Sequence, residues 1–206
     1  MPTAPKGVVW DVGNVIVRWD PRTLYSKLFA DPTRRDDFLT RVCSMTWHLE
    51  TDLGVHPAEN TAALIARFPE HEAEIRAWWD RWDEMFSGVI EETQAVIREL
   101  ADRGVPQFGL TNMSVHCWPD IRAMSPAFAH LRDVVISSEE RLIKPDPRIY
   151  ERMCERAGMA PSDLVFIDDS ARNIEAAAAL GFHVHHFTDP ATLRPALVEL
   201  GLIPPA

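Results

Sequence analysis

The chain has 206 residues, 46% of them hydrophobic and 25% charged. That is enough apolar mass to bury the core of one ordinary domain, with or without a modest insertion, and too much for a disordered chain. Asp and Glu number 31 against 21 Lys and Arg, a net charge of -10, and so acidic a surface repels phosphate backbones, which excludes nucleic acid as an expected partner.

Three cysteines without CxxC spacing, Cys43, Cys117 and Cys154, argue against a disulfide framework and for a reducing compartment. Residues 1–6 carry no leader-like apolar run, and no stretch approaches the roughly 18 apolar residues that span a bilayer. A soluble, cytoplasmic chain with no membrane partner is expected, as a monomer or a homodimer.

In chain order, an apolar strand is expected at 8–10, ending in Asp11. Residues 19–87 carry no strand pattern and read as helices over 22–29, 34–42, 57–67 and 70–86, a segment that holds Trp47, Trp78, Trp79 and Trp82. Beyond it a helix–strand rhythm sets in. An amphipathic helix is expected at 90–103, stopped by Gly104, then a strand at 105–110 ending in Thr111-Asn112. A strand at 134–136 ends in Ser137-Ser138; a helix at 147–157 is closed by Gly158. A strand at 164–167 ends in Asp168-Asp169, a helix at 171–180 is closed by Gly181, and a last strand covers 182–187. The tail 203–206 is expected to fray. This alternation predicts an α/β fold: a Rossmann-like parallel sheet with helices on both faces, made of 1–18 and 88–206, with a small all-helical segment, 19–87, inserted after the first strand.

In an open parallel sheet, ligands bind beyond the carboxyl ends of the strands. Asp11, Thr111-Asn112 and Asp168-Asp169 all fall at such ends, with Lys144 in the loop after Ser137-Ser138. Carboxylates converging there repel one another unless a cation intervenes, and hard oxygen ligands suit Mg²⁺. Each residue also has a plain structural reading. Asp11 would serve as a turn residue, Thr111-Asn112 and Asp168-Asp169 as caps of the following helices, and Lys144 as a solvated loop residue.

Taken together, these segments resemble the haloacid dehalogenase superfamily over nearly the whole chain. The first motif stands as Val8-Val9-Trp10-Asp11-Val12-Gly13-Asn14-Val15, the second as Leu110-Thr111-Asn112, the third as Lys144-Pro145, and the fourth as Asp168-Asp169 before a helix. The inserted helices resemble the helical cap of the family, and the first motif is similar to that of its sugar-1-phosphate phosphatases.

The resemblance implies a Mg²⁺-dependent phosphatase for a small phosphorylated metabolite, a sugar phosphate among the candidates. Asp11 would be the nucleophile and form an aspartyl-phosphate. Mg²⁺ would be held by Asp11, the Gly13 carbonyl and Asp169, with Asp168 assisting. Thr111, Asn14 and Asn112 would contact the phosphoryl group, Lys144 would stabilise charge in the reaction, and Arg18 would reach the pocket or stay solvated.

One position departs from the family. Most of its phosphatases carry an aspartate two residues after the nucleophile, as leaving-group acid; here that residue is Gly13. A good leaving group, an acid from elsewhere (His48 or His116), or a different reaction would each accommodate it. Two alternatives therefore stand beside the phosphatase: a 2-haloacid dehalogenase, and a non-catalytic phospho-ligand binder. Asn173 is expected to brace the acidic loop, one tryptophan of 19–87 to line the pocket, with Trp47 a candidate that nothing in the sequence singles out, and His183, His185 and His186 to be structural or surface residues, since alternation splits them between two faces.

Overall fold

A computed structural model describes residues 4–205. Residues 1–3 and 206, the start of the N-terminal segment and the last residue of the expected tail, lie outside it. Among the described residues seven strands form: β1 (Gly7–Trp10), β2 (Val17–Trp19), β3 (Phe86–Val89), β4 (Gln107–Thr111), β5 (Asp133–Ile136), β6 (Leu164–Asp168) and β7 (His183–His186). Five of them build one parallel sheet in the order β5-β4-β1-β6-β7. β1, β4 and β6 are buried along their whole lengths, as expected of strands covered on both faces. Because the strands are parallel and in register, with Trp10 beside Gly109 and Ile167, Asp11, Thr111 and Asp168 emerge at the same edge.

β2 and β3 form a separate antiparallel ribbon pairing Val17 with Val89 and Arg18 with Gly88. The helix expected over 70–86 stops short of that bound. The chain instead leaves the helix at Asp80, makes a 3-10 turn over Trp82–Met85 and extends into β3. Strands of three and four residues are too short to show a period of two, so the ribbon left no pattern to read.

Between the ribbon strands lie α1 (Pro21–Leu28), α2 (Pro32–Arg41), α3 (Met45–Asp52), α4 (Pro57–Arg67) and α5 (Glu72–Asp80). Proline opens α1, α2 and α4, where its missing N–H costs nothing, and Asp20, Asp31 and His56 accept from the first free amides. Ser44 caps α3 by accepting from the Trp47 amide. These helices enclose their own core, with Leu24, Tyr25, Phe38, Trp47, Ile75 and Trp78 at its centre.

The remaining helices are α6 (Glu91–Asp102), α7 (Trp118–Ala123), α8 (Ser137–Glu140), α9 (Pro147–Ala157), α10 (Ala171–Ala179) and α11 (Pro190–Glu199). On one face of the sheet Val8, Trp10, Val165 and Ile167 pack with Val96, Ile97 and Leu100 of α6 and Leu193 and Leu197 of α11. On the other, Val9, Phe108, Leu110 and Phe166 meet Ile149, Tyr150 and Met153 of α9 and Ala177 of α10. Trp10 donates to the Gln107 side chain, which in turn donates to the Ile97 carbonyl, so these two buried side chains are paired. The tail expected to fray is partly anchored: Ile203 is buried in the first of these cores. None of the helices among the described residues is long and apolar enough to cross a membrane.

Candidate active site

At the carboxyl edge of the sheet, Lys144 Nζ is buried between two carboxylates. It stands 2.8 Å from Asp11 Oδ1 and 2.7 Å from Asp168 Oδ2, and donates to the Leu110 carbonyl at 3.0 Å. β1 delivers Asp11, β6 delivers Asp168, and the loop after α8 delivers the lysine. Asp168 is held from every side. Its Oδ1 accepts from the Ser170 amide at 2.8 Å, and Asn173 Nδ2 donates to both of its oxygens at 3.0 and 3.1 Å. Asn173 thus braces the acidic loop. Asp169 is more exposed, and one of its oxygens comes within 4.8 Å of ligand atoms from Asp11 and Asp168.

Burial pushes the Asp11 carboxyl above its usual range; Lys144 opposes the shift, and Asp168 and Asp169 add to it. Burial alone would lower the lysine, but Asp11 and Asp168 outweigh it and keep Nζ charged. Three carboxylates thus share one ammonium. A hard, oxygen-only donor set with surplus negative charge fits a divalent cation such as Mg²⁺.

Asn112 does not point freely at a ligand. Its Oδ1 accepts from the Lys144 amide at 2.8 Å and its Nδ2 donates to the Lys144 carbonyl at 3.1 Å. Asn14 sits in the left-handed region at φ 55° and its Oδ1 accepts from the Trp19 amide at 3.0 Å, fixing the start of the ribbon. Gly13 has no such backbone demand, and a Cβ placed on it would meet nothing within 4 Å.

These groups open into a cavity of about 220 Å³. Asp11, Gly13, Asn14, Thr111, Asn112, Lys144 and Asp169 form its floor. The wall comes from Val17, Trp19 and Phe86 of the ribbon, Met45, His48, Leu49 and Asp52 of α3, and Trp82. His48 lies 5.6 Å from the Trp19 ring and 5.7 Å from the Trp82 ring, stacked on both. The indole N–H groups of Trp19 and Trp82, His48 Nδ1 and Asp52 Oδ1 are buried without hydrogen-bond partners.

Four sequence expectations meet this geometry differently. Arg18 is exposed and does not line the cavity, because alternation along β2 turns Val17 and Trp19 inward and Arg18 out. Trp47 is not the lining tryptophan; it is packed in the helical core with its Nε1 donating to the Asn60 carbonyl. His116 lies against His56, ring centroids 4.7 Å apart, in a neighbouring depression. His186 Nε2 lies 3.0 Å from the Asp169 carbonyl oxygen. Sequence reasoning had passed over Asp52. The only available signal was its i,i+4 spacing from His48, which puts both on one side of a helix.

A family model described as haloacid dehalogenase-like hydrolase matches residues 5–181. A sesquiterpene phosphatase of Aspergillus oryzae is 24% identical over 189 residues, covering 92% of this chain and 93% of that one. A phosphatase of Mycobacterium tuberculosis is 29% identical over 131 residues, 63% of this chain and 60% of that one. Among solved structures, a magnesium complex of a HAD-family enzyme from Bacteroides thetaiotaomicron superposes with a TM-score of 0.70 at 20% identity, covering 93% of this chain and 99% of that one.

Proposed function

Because the chain belongs to the haloacid dehalogenase-like hydrolases, we propose that it is a Mg²⁺-dependent phosphatase of a small phosphorylated metabolite, acting through an aspartyl-phosphate on Asp11. The observation that carries this reading is the placement of Lys144 Nζ between Asp11 and Asp168, 2.8 and 2.7 Å away, with Asp169 as a third carboxylate. Such a site has one fixed positive charge and room for a divalent one, which is what a phosphoryl dianion needs beside a carboxylate nucleophile.

Asp11, the Gly13 carbonyl and Asp169 would hold the cation. Asp168 would contribute mainly by fixing Lys144, since its oxygens already accept from Lys144, Asn173 and Ser170. When bound, the cation supplies charge neutralisation at the phosphoryl oxygens. Asp11 attacks phosphorus with the oxygen that is free of Lys144. Thr111 donates to a phosphoryl oxygen, and Lys144 holds the charge that builds on the group in transfer. Asn112 acts through Lys144 rather than on the substrate. Residues 19–87, which hold helices α1–α5 and run into the ribbon at both ends, act as a cap whose Trp19, Trp82, Phe86, Met45 and Leu49 receive the leaving group against a largely apolar wall. A sugar phosphate and a more apolar phosphate ester both fit this description.

The 2-haloacid dehalogenase alternative meets an obstacle at the same place: three carboxylates facing one ammonium hinder an anionic haloacid that brings no cation with it. The test is phosphate release from a panel of phosphate esters with Mg²⁺ and with EDTA, by the wild type and by Asp11→Asn. The reading predicts release that needs both the metal and Asp11. Release that is indifferent to either contradicts it.

A further inference from the structure

We propose that Asp52, held beside His48 on α3, is the leaving-group acid and hydrolytic base that position 13 lacks. The inference rests on the phosphatase reading above and specifies how that site completes its reaction.

Four observations lead to it. Gly13 offers no acid, yet its backbone leaves space for one. Asp52 and His48 line the same cavity as Asp11 from its opposite wall. Both carry buried polar atoms with no partner in the protein, Asp52 Oδ1 and His48 Nδ1, while His48 Nε2 stands 3.7 Å from Asp52 Oδ1, too far for a hydrogen bond. Leaving such atoms unpaired is costly, an arrangement expected where a ligand supplies the partner. Finally, Asp52 is tied to the sheet domain. Its carbonyl accepts from Ser137 Oγ at 2.7 Å, and Ser137 Oγ in turn accepts from the Met113 amide at 2.9 Å, two residues past Thr111. The end of α3 is thereby registered against the loop that carries the phosphate contacts.

The electrostatic surroundings suit both roles. Burial pushes the Asp52 carboxyl up to about 7, with Lys144 pulling the other way. The groups facing it are His48 from its own helix, held neutral by burial, Lys144 from the loop after α8, and Cys117 from the turn before α7. Near neutral pH such a carboxyl both gives and takes a proton.

In the first step an Asp11 oxygen bonds to phosphorus while the bond from phosphorus to the ester oxygen breaks. That oxygen takes the Asp52 proton and leaves as the alcohol. In the second step a water oxygen attacks phosphorus and its proton passes to the Asp52 carboxylate. The bond between phosphorus and Asp11 then breaks, releasing inorganic phosphate and restoring the acid. His48, 3.7 Å from Asp52 Oδ1 and stacked on Trp19 and Trp82, is a positioning residue that packs against the carboxyl.

The experiment compares p-nitrophenyl phosphate, whose leaving group departs without a proton, with benzyl phosphate, whose leaving group needs one. Wild type, Asp52→Asn, His48→Gln and the double variant Gly13→Asp/Asp52→Asn are used, all as full chains checked for folding by circular dichroism. Asp52→Asn is expected to lower turnover of benzyl phosphate on the order of 100-fold. It should leave the p-nitrophenol burst nearly intact and abolish the alkaline limb of the pH profile near 7. His48→Gln should shift that limb and lower kcat while leaving KM in place. The double variant should recover at least about tenfold of the benzyl phosphate activity. Equal losses in the burst-phase release of the alcohol from both esters in Asp52→Asn, or an unchanged alkaline limb, overturn the role of Asp52 while leaving the phosphatase reading standing. Absence of phosphate release from either ester by the wild type overturns both.

Discussion

Asn112 grips the Lys144 peptide from both sides, its Oδ1 accepting from the Lys144 N–H and its Nδ2 donating to the Lys144 carbonyl. The end of β4 thereby sets where the ammonium sits between Asp11 and Asp168. Replacing Asn112 with Ala removes both bonds at a part-buried place. A stability loss of about 1–3 kcal/mol is expected in urea unfolding, with kcat/KM falling about tenfold or more as Lys144 loses its position. Asn112→Asp keeps the acceptor and loses the donor, so it should fall between the two.

Metal binding has its own readout in stability. On the proposed reading Mg²⁺ would relieve repulsion among Asp11, Asp168 and Asp169 in the folded chain alone, raising Tm with its concentration and adding about 2.7 kcal/mol of stability at 100 times Kd. Asp169→Asn should lose most of that increase without losing the fold, since Asp169 is more exposed than Asp168. Thermal unfolding with and without Mg²⁺ measures both.

The leaving-group wall predicts a different kinetic pattern. Trp82 stacks on Trp79 at 5.2 Å and lines the cavity. Trp82→Ala should raise KM for organic phosphates about tenfold and leave inhibition by inorganic phosphate nearly unchanged. Steady-state kinetics with phosphate as competitor separates the two effects.

His48 and Asp52 make opposite pH signatures in stability. Burial lowers His48 from 6.5 to about 4. Between those values the unfolded chain binds the proton and the folded chain does not. The His48 contribution is therefore full above pH 6.5 and lost as pH falls through about 4. Asp52 is raised from 3.8 to about 7, so its contribution is full below 3.8 and lost as pH rises through about 7. The two offset each other across most of this window. In Asp52→Asn the offset disappears, and stability relative to wild type should climb by about 3 kcal/mol from pH 4 to 6.5. His48→Gln should show the opposite drift. Urea unfolding at a series of pH values checks both.

Much of the sheet and its polar edge was legible in the sequence because each strand is a short apolar run that stops at the residue of interest: Trp10 before Asp11, Leu110 before Thr111, Ile167 before Asp168. What stayed hidden depends on contacts across the chain. The ribbon of Val17–Trp19 and Phe86–Val89 is too short to betray its alternation. With the ribbon unread, nothing indicated that Arg18 turns outward and Trp19 inward. Helix α3 mixes apolar and polar residues on every side, so no stripe marks it. Asp52 matters only because Ser137 holds its carbonyl beside the sheet edge, a contact spanning 85 residues. Asn112 was readable as a site residue but not as the clamp on Lys144, 32 residues away.

Whether Asp11 carries the phosphoryl group is decided by acid-quenched mass spectrometry of the Asp11 peptide after brief mixing with p-nitrophenyl phosphate. A phosphoryl adduct on Asp11 is expected with Mg²⁺ present, lost with EDTA and in Asp11→Asn. Phosphate release with no adduct at Asp11, or an ester adduct there from 2-chloropropionate with halide release in EDTA, would contradict it.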